Sequence, residues 1–147
     1  MEQIRKNLKL SSIVVLVLAG FSMLQVVSEL FFGELGNAIT TEGASDNTLL
    51  ITRIFLLSFA LLLTSPGIYI GIKGLRIAKK PNSSKAHIVW AIILLVLASL
   101  SLVEQGFALV RYGVNFESIS AFCSIVVEVT VFVEYIRLAI AVRKTVA

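Results

Sequence analysis

Among the ionisable residues inside the apolar runs of this chain, four are placed to carry chemistry: Glu29, Arg53, Glu104 and Glu128. A charge held at the centre of a bilayer costs roughly 2.5–3.5 kcal/mol on insertion scales, so each such group must be solvated, paired or protonated. Their polar neighbours fall at helical spacing. Ser22, Gln25 and Glu29 share one face; Ser101, Glu104 and Gln105 form a similar patch; Ser120, Ser124 and Glu128 recur every four residues. Turned inward, these stripes make a polar pocket opening to one side of the membrane. Three acids against one well-placed base, Arg53, leave surplus negative potential or held protons, which is the chemistry of a proton or cation site.

A plainer reading stands beside that one. Glu29 is close enough to an interface to be solvated, and Arg53 is within sequence reach of an interhelical pair with Glu29 or Glu104. Glu134 and Arg137, three residues apart, read as a local pair whose ends snorkel to the surface. Glu128 falls nearest the middle of its run, where a carboxylate serves either function or packing specificity.

Enzymatic chemistry finds no support. His87, the sole histidine, opens the third apolar run beside Trp90, an ordinary interfacial place. Cys123 is the sole cysteine and has no second thiol to pair with. No cluster has metal-ligand spacing, no glycine-rich loop leads a phosphate-binding lysine, and no serine has a local base. One histidine also argues against a bis-histidine haem. The expectation is no catalysis, no cofactor and no metal.

The elements that position the polar groups are four apolar runs, at residues 10–32, 49–72, 87–110 and 119–141. Each is long enough, at 1.5 Å rise per residue, to cross a hydrocarbon layer of about 30 Å. Inside lipid the backbone must satisfy its own hydrogen bonds, which selects helices. At 57% hydrophobic and 15% charged residues, with a mean hydropathy of +0.93, the chain lies outside the soluble range. No connection exceeds about 16 residues, too little for a separate core. The predicted fold is all-α: a single transmembrane domain over 1–147, built as an up–down–up–down four-helix bundle.

Charge sets the expected orientation. Eleven of the thirteen Lys and Arg residues lie before the first run, around the connection at 73–86, or near the end of the chain; only Arg53 and Arg111 lie opposite. The positive-inside rule then places both termini and residues 73–86 in the cytoplasm, with 33–48 and 111–118 outside. The sequon at Asn82 falls on the cytoplasmic side, away from the glycosylation machinery. The first run is longer than a signal-peptide core and reads as a retained span. The basic flanks also suit anionic lipid headgroups, and the lack of interleaved aromatics speaks against nucleic acid.

The two halves resemble one another. Residues 16–25 align without gaps to 95–104, and Tyr69 and Tyr135 each precede an arginine, Arg76 and Arg143, by seven. Two parallel helical-hairpin repeats would explain this, as would chance likeness between apolar segments. Ala60, Thr64, Gly67 and Gly71 make a small-residue seam, suited to a dimer contact or to packing inside the bundle. Pro66 in the same run predicts a kink, with hydroxyls such as that of Thr64 meeting freed carbonyls. Pro81 ends the second helix, and Asn82 or Ser83 is placed to cap the third.

The leading expectation is a non-enzymatic subunit, scaffold or regulator of a bacterial-type cell membrane. It would associate through its helices with itself or with a larger complex. The alternative is a small oligomeric transporter or channel for protons, cations or a small solute; a lipid- or small-molecule-binding role is third.

Overall fold

In the computed structural model the described residues, 2–32, 46–80, 84–113 and 115–145, are almost entirely helical, with no strand among them. Four helices follow one another: α1 (Glu2–Phe32), α2 (Asp46–Lys79), α3 (Ala86–Tyr112) and α4 (Phe116–Lys144). They contain 31, 34, 27 and 29 residues, or roughly 40–50 Å of helix each. Three of them, α1, α2 and α3, are long and apolar enough to cross a membrane. The run in α4 is broken by Glu128, Glu134 and Arg137.

All four helices overrun the apolar runs that announce them, because charged residues at helix ends extend a helix without entering hydrocarbon. α2 ends in Arg76 and Lys79, α4 in Arg143 and Lys144, cations that favour the negative end of the helix dipole. The α3–α4 connection shrinks accordingly to residues 113–115. Gly113 follows α3 with φ 86° and ψ 169°, a conformation a side chain would oppose, and Asn115 caps α4 by accepting the Ser118 amide at 2.7 Å. Capping of α3 differs from expectation. Its N-cap is Lys85, with no side-chain hydrogen bond, while Pro81, Asn82 and Ser83 lie outside the described residues.

α1 packs most closely on α2 and α3 on α4, and contacts α1–α4 and α2–α3 complete the ring. On the first pair a Cβ at Gly67 would meet Ala19, one at Gly71 would meet Leu16, and one at Gly74 would meet Ser12. Glycine thus brings two backbones together where no side chain fits between them. α2 runs unbroken through Pro66. Proline cannot donate to the Leu62 carbonyl, and the Ser65 hydroxyl donates to it instead at 2.8 Å. Thr64, the expected donor, bonds the Ala60 carbonyl at 3.0 Å and the Leu61 carbonyl at 3.3 Å.

Burial is uneven along the bundle. The core cluster draws on Leu8 and Val15 of α1, Ile70 and Ile77 of α2, Ile88 and Ala91 of α3, and Phe132 to Val142 of α4. These residues occupy one end, which is closed. At the other, open end few residues are buried, and large apolar side chains face outward, with Phe55 68% and Phe107 72% exposed. So many exposed large hydrophobics are untenable in water and ordinary against lipid.

His87, in the first turn of α3, is 2% exposed and edge-on to Tyr135, with ring centroids 6.2 Å apart. The packing of α3 on α4 decides this, since the helix rotates that side of its first turn inward. Tyr69 and Tyr135, matched by the internal alignment, have unlike surroundings: Tyr135 is fully buried, and Tyr69 is half-buried beneath the Lys73 ammonium.

Candidate functional site

At the open end α1 and α4 diverge to leave a cleft of about 840 Å³. Ser22 and Gln25 line it from α1; Ser120, Ser124 and Glu128 line it from α4. Two of the three expected polar stripes therefore face each other. They do so because α1 and α4 are ring neighbours, a relation between the two ends of the chain. Leu18, Phe21, Phe116 and Ile125 supply apolar walls.

Glu128 is the deepest polar group of this cleft. It is half-buried and also borders a smaller cavity of about 150 Å³ inside the bundle, together with Ser22, Thr64 and Gly67. No ion pair reaches it among the described residues, where Glu134–Arg137 at 3.5 Å is the ion pair seen. The Ser124 hydroxyl donates to the Ser120 carbonyl at 2.9 Å. Its proton is thus spent within its own helix, and its lone pairs are left to accept. The cleft is rich in acceptors. The Gln25 amide is its one side-chain N–H donor.

The remaining candidates lie elsewhere. Glu104 and Ser101 on α3 are exposed and Gln105 is half-buried, all three outside the cleft. Arg53 does not face Glu128; its guanidinium stands 5.6 Å from the Phe31 ring centroid, and its Nε has no hydrogen-bond partner among the described residues. The Glu29 side chain lies outside the described residues. A pocket shared by three acids and one base is therefore not what forms. α3 turns its polar patch away because its other faces pack on α2 and α4.

The cleft has an extension that the sequence reading passed over. Toward the closed end the same α1–α4 face continues as a groove of about 380 Å³, lined by Asn7, Ser11, Thr130 and Glu134 among apolar residues. Asn7, Ser11, Ser22 and Gln25 share one helical stripe with Val14 and Leu18 at three- and four-residue intervals. That stripe is periodic in the sequence, but Asn7 and Ser11 precede or open the most apolar stretch, where a polar residue is ordinary.

The seam residues are also placed. Ala60 and Gly67 are buried, Gly71 is buried against α1, and Thr64 is half-buried beside the internal cavity. Among the described residues no group of three or more His, Cys, Asp or Glu side chains is placed to hold a metal ion. Cys123 is exposed on α4. Comparison with protein families, curated proteins and solved structures gives no match.

Proposed function

We propose that this protein is a multi-pass component of the cell membrane that threads the bilayer four times, up–down–up–down, with both termini in the cytoplasm. It acts as a non-enzymatic subunit that seats a transmembrane helix of a larger complex in its α1–α4 groove. The observation that carries this reading is the polar lining of the cleft between α1 and α4, with Glu128 at its base. Lipid tails offer such groups no hydrogen bonds, whereas a partner helix presenting amide, hydroxyl or cationic donors does. Spacing at three and four residues on both walls suits a helix as occupant.

Charge favours a different chain over a second copy. A two-fold contact through this face would join two identical linings, each with Glu128 and no lysine or arginine. Conduction through a single chain is disfavoured as well, because the closed end beneath Glu128 is packed with apolar side chains such as Val15, Ile70 and Phe132.

The test places a photoreactive residue at Ser124 in the groove or at Ser101 on the exposed face of α3, in cells. A partner helix is expected to crosslink from Ser124 and not from Ser101. Glu128→Leu should reduce that adduct about tenfold, the effect of losing one buried polar contact of roughly 1.4 kcal/mol. Equal crosslinking from both sites, or an adduct indifferent to Glu128→Leu, defeats the reading. Ion flux lost in Glu128→Gln with assembly unchanged would transfer the case to transport.

A further inference from the structure

The end of α2 and the connection before α3 border a further pocket, of about 440 Å³, lined by Lys73, Arg76, Lys79 and Lys80 with Ile77 and Ser84. That volume lies in the usual range for ligand clefts, about 300–1,000 Å³. Among the described residues four cations line it and no carboxylate does. Among the described residues none of the four is in an ion pair. Like charges three and four residues apart oppose helix formation, so Lys73, Arg76 and Lys80 on one face are an unfavourable set without an anion. The dipole at the end of α2 offsets only about half a charge. On the other side α3 begins at Ala86, two residues past Ser84, without a side-chain cap, so its amide end adds positive potential. Lys73 Nζ lies 5.9 Å from the Tyr69 ring centroid.

We propose that this pocket binds one phosphate dianion per chain, carried by a phosphomonoester lipid headgroup or by a soluble phosphate. Diffuse attraction of basic loops to an anionic leaflet requires no enclosure, whereas four cations around one cavity define a stoichiometric site. A dianion uses the charge better than a phosphodiester, since Arg76 engages two oxygens while the lysines neutralise the remainder. The lipid source rests on the orientation proposed above, which puts this end of α2 at the inner leaflet; the pocket itself does not.

The experiment titrates the full-length protein in detergent with dioleoyl phosphatidic acid, dioleoyl phosphatidylglycerol and dioleoyl phosphatidylcholine, following bound lipid by native mass spectrometry. One saturable phosphatidic acid is expected, at least about tenfold tighter than the diester. Lys73→Gln with Arg76→Gln should weaken it about tenfold or more, while Arg143→Gln with Lys144→Gln, an equal loss of charge on α4, changes it less than about twofold. Lys73→Arg, which keeps the charge and leaves Arg76 in place, should retain binding and so separates loss of the site from loss of the fold. Inorganic phosphate that displaces the lipid identifies the phosphate group alone as the ligand; lipid retained against phosphate identifies the headgroup in its membrane setting. Equal occupancy by all three lipids, or equal weakening by the α4 pair, overturns the proposal. Orientation is read separately, by labelling Ser84→Cys in a Cys123→Ser background with a membrane-impermeant maleimide on intact cells. Labelling from outside would sink the topology and leave the detergent result standing.

Discussion

The Tyr135 hydroxyl donates a hydrogen bond to the Ile70 carbonyl at 3.1 Å, and both residues are fully buried. The bond joins α4 to α2 across the ring, between helices that otherwise touch little. Replacing Tyr135 by Phe keeps the ring and its edge contact with His87 and removes this one link. The expected loss is about 1 kcal/mol of stability, with the helical content unchanged, read as a lower unfolding midpoint in detergent. An unchanged midpoint would mean the bond does not hold the diagonal.

Gly74 and Gly20 lie on different helices and predict opposite outcomes. A Cβ at Gly74 would collide with the Ser12 hydroxyl and come within 2.7 Å of Tyr135 Cε2, whereas one at Gly20 meets nothing within 4 Å. Gly74→Ala should destabilise by about 1–3 kcal/mol through overpacking. Gly20→Ala should be neutral or stabilise by up to about 1 kcal/mol through helix propensity. Thermal unfolding of the two variants side by side decides it, and a destabilised Gly20→Ala would contradict the packing.

Ser65 and Pro66 form a natural double-mutant cycle. With Pro66 in place the Leu62 carbonyl depends on the Ser65 hydroxyl, so Ser65→Ala should cost about 1–2 kcal/mol. Pro66→Ala restores a backbone N–H to that carbonyl, and in that background Ser65→Ala should cost close to nothing. Additive effects across the cycle would show that the hydroxyl is not standing in for the missing amide.

His87 carries both ring nitrogens into the core without a hydrogen-bond partner among the described residues. His87→Phe retains an aromatic edge against Tyr135 and removes two desolvated polar atoms. The unfolding midpoint should hold or rise, because exchanging an unpaired buried polar group for an apolar one of similar shape is neutral or favourable. A drop of several degrees would reveal a partner that holds the imidazole.

Much of this architecture was legible in the chain itself. Four apolar runs fix four helices, since a backbone in lipid has almost no other way to satisfy its amides. The small residues of α2 and the hydroxyls around Pro66 announced tight packing and repaired carbonyls, and Glu134–Arg137 announced a local pair; such features depend on spacing within one helix, which periodicity records. Even so, which hydroxyl serves which carbonyl needed coordinates, because Thr64 and Ser65 differ by one residue and by about 100° around the helix.

Periodicity along a single helix already puts Glu128, Ser124 and Ser120 on one face, and likewise Ser22 with Gln25. That these two faces meet, that the α3 patch with Glu104 turns away, and that Arg53 stands near Phe31 and outside the cleft follow from how the helices pack. The physical reason is that a helical stripe fixes direction relative to its own axis alone. Rotation of each helix within the bundle is set by where glycines let backbones close in, at Gly67, Gly71 and Gly74 against α1, and by bulky residues such as Tyr135 filling the closed end. Those choices are made between helices, and no single stretch of sequence contains them.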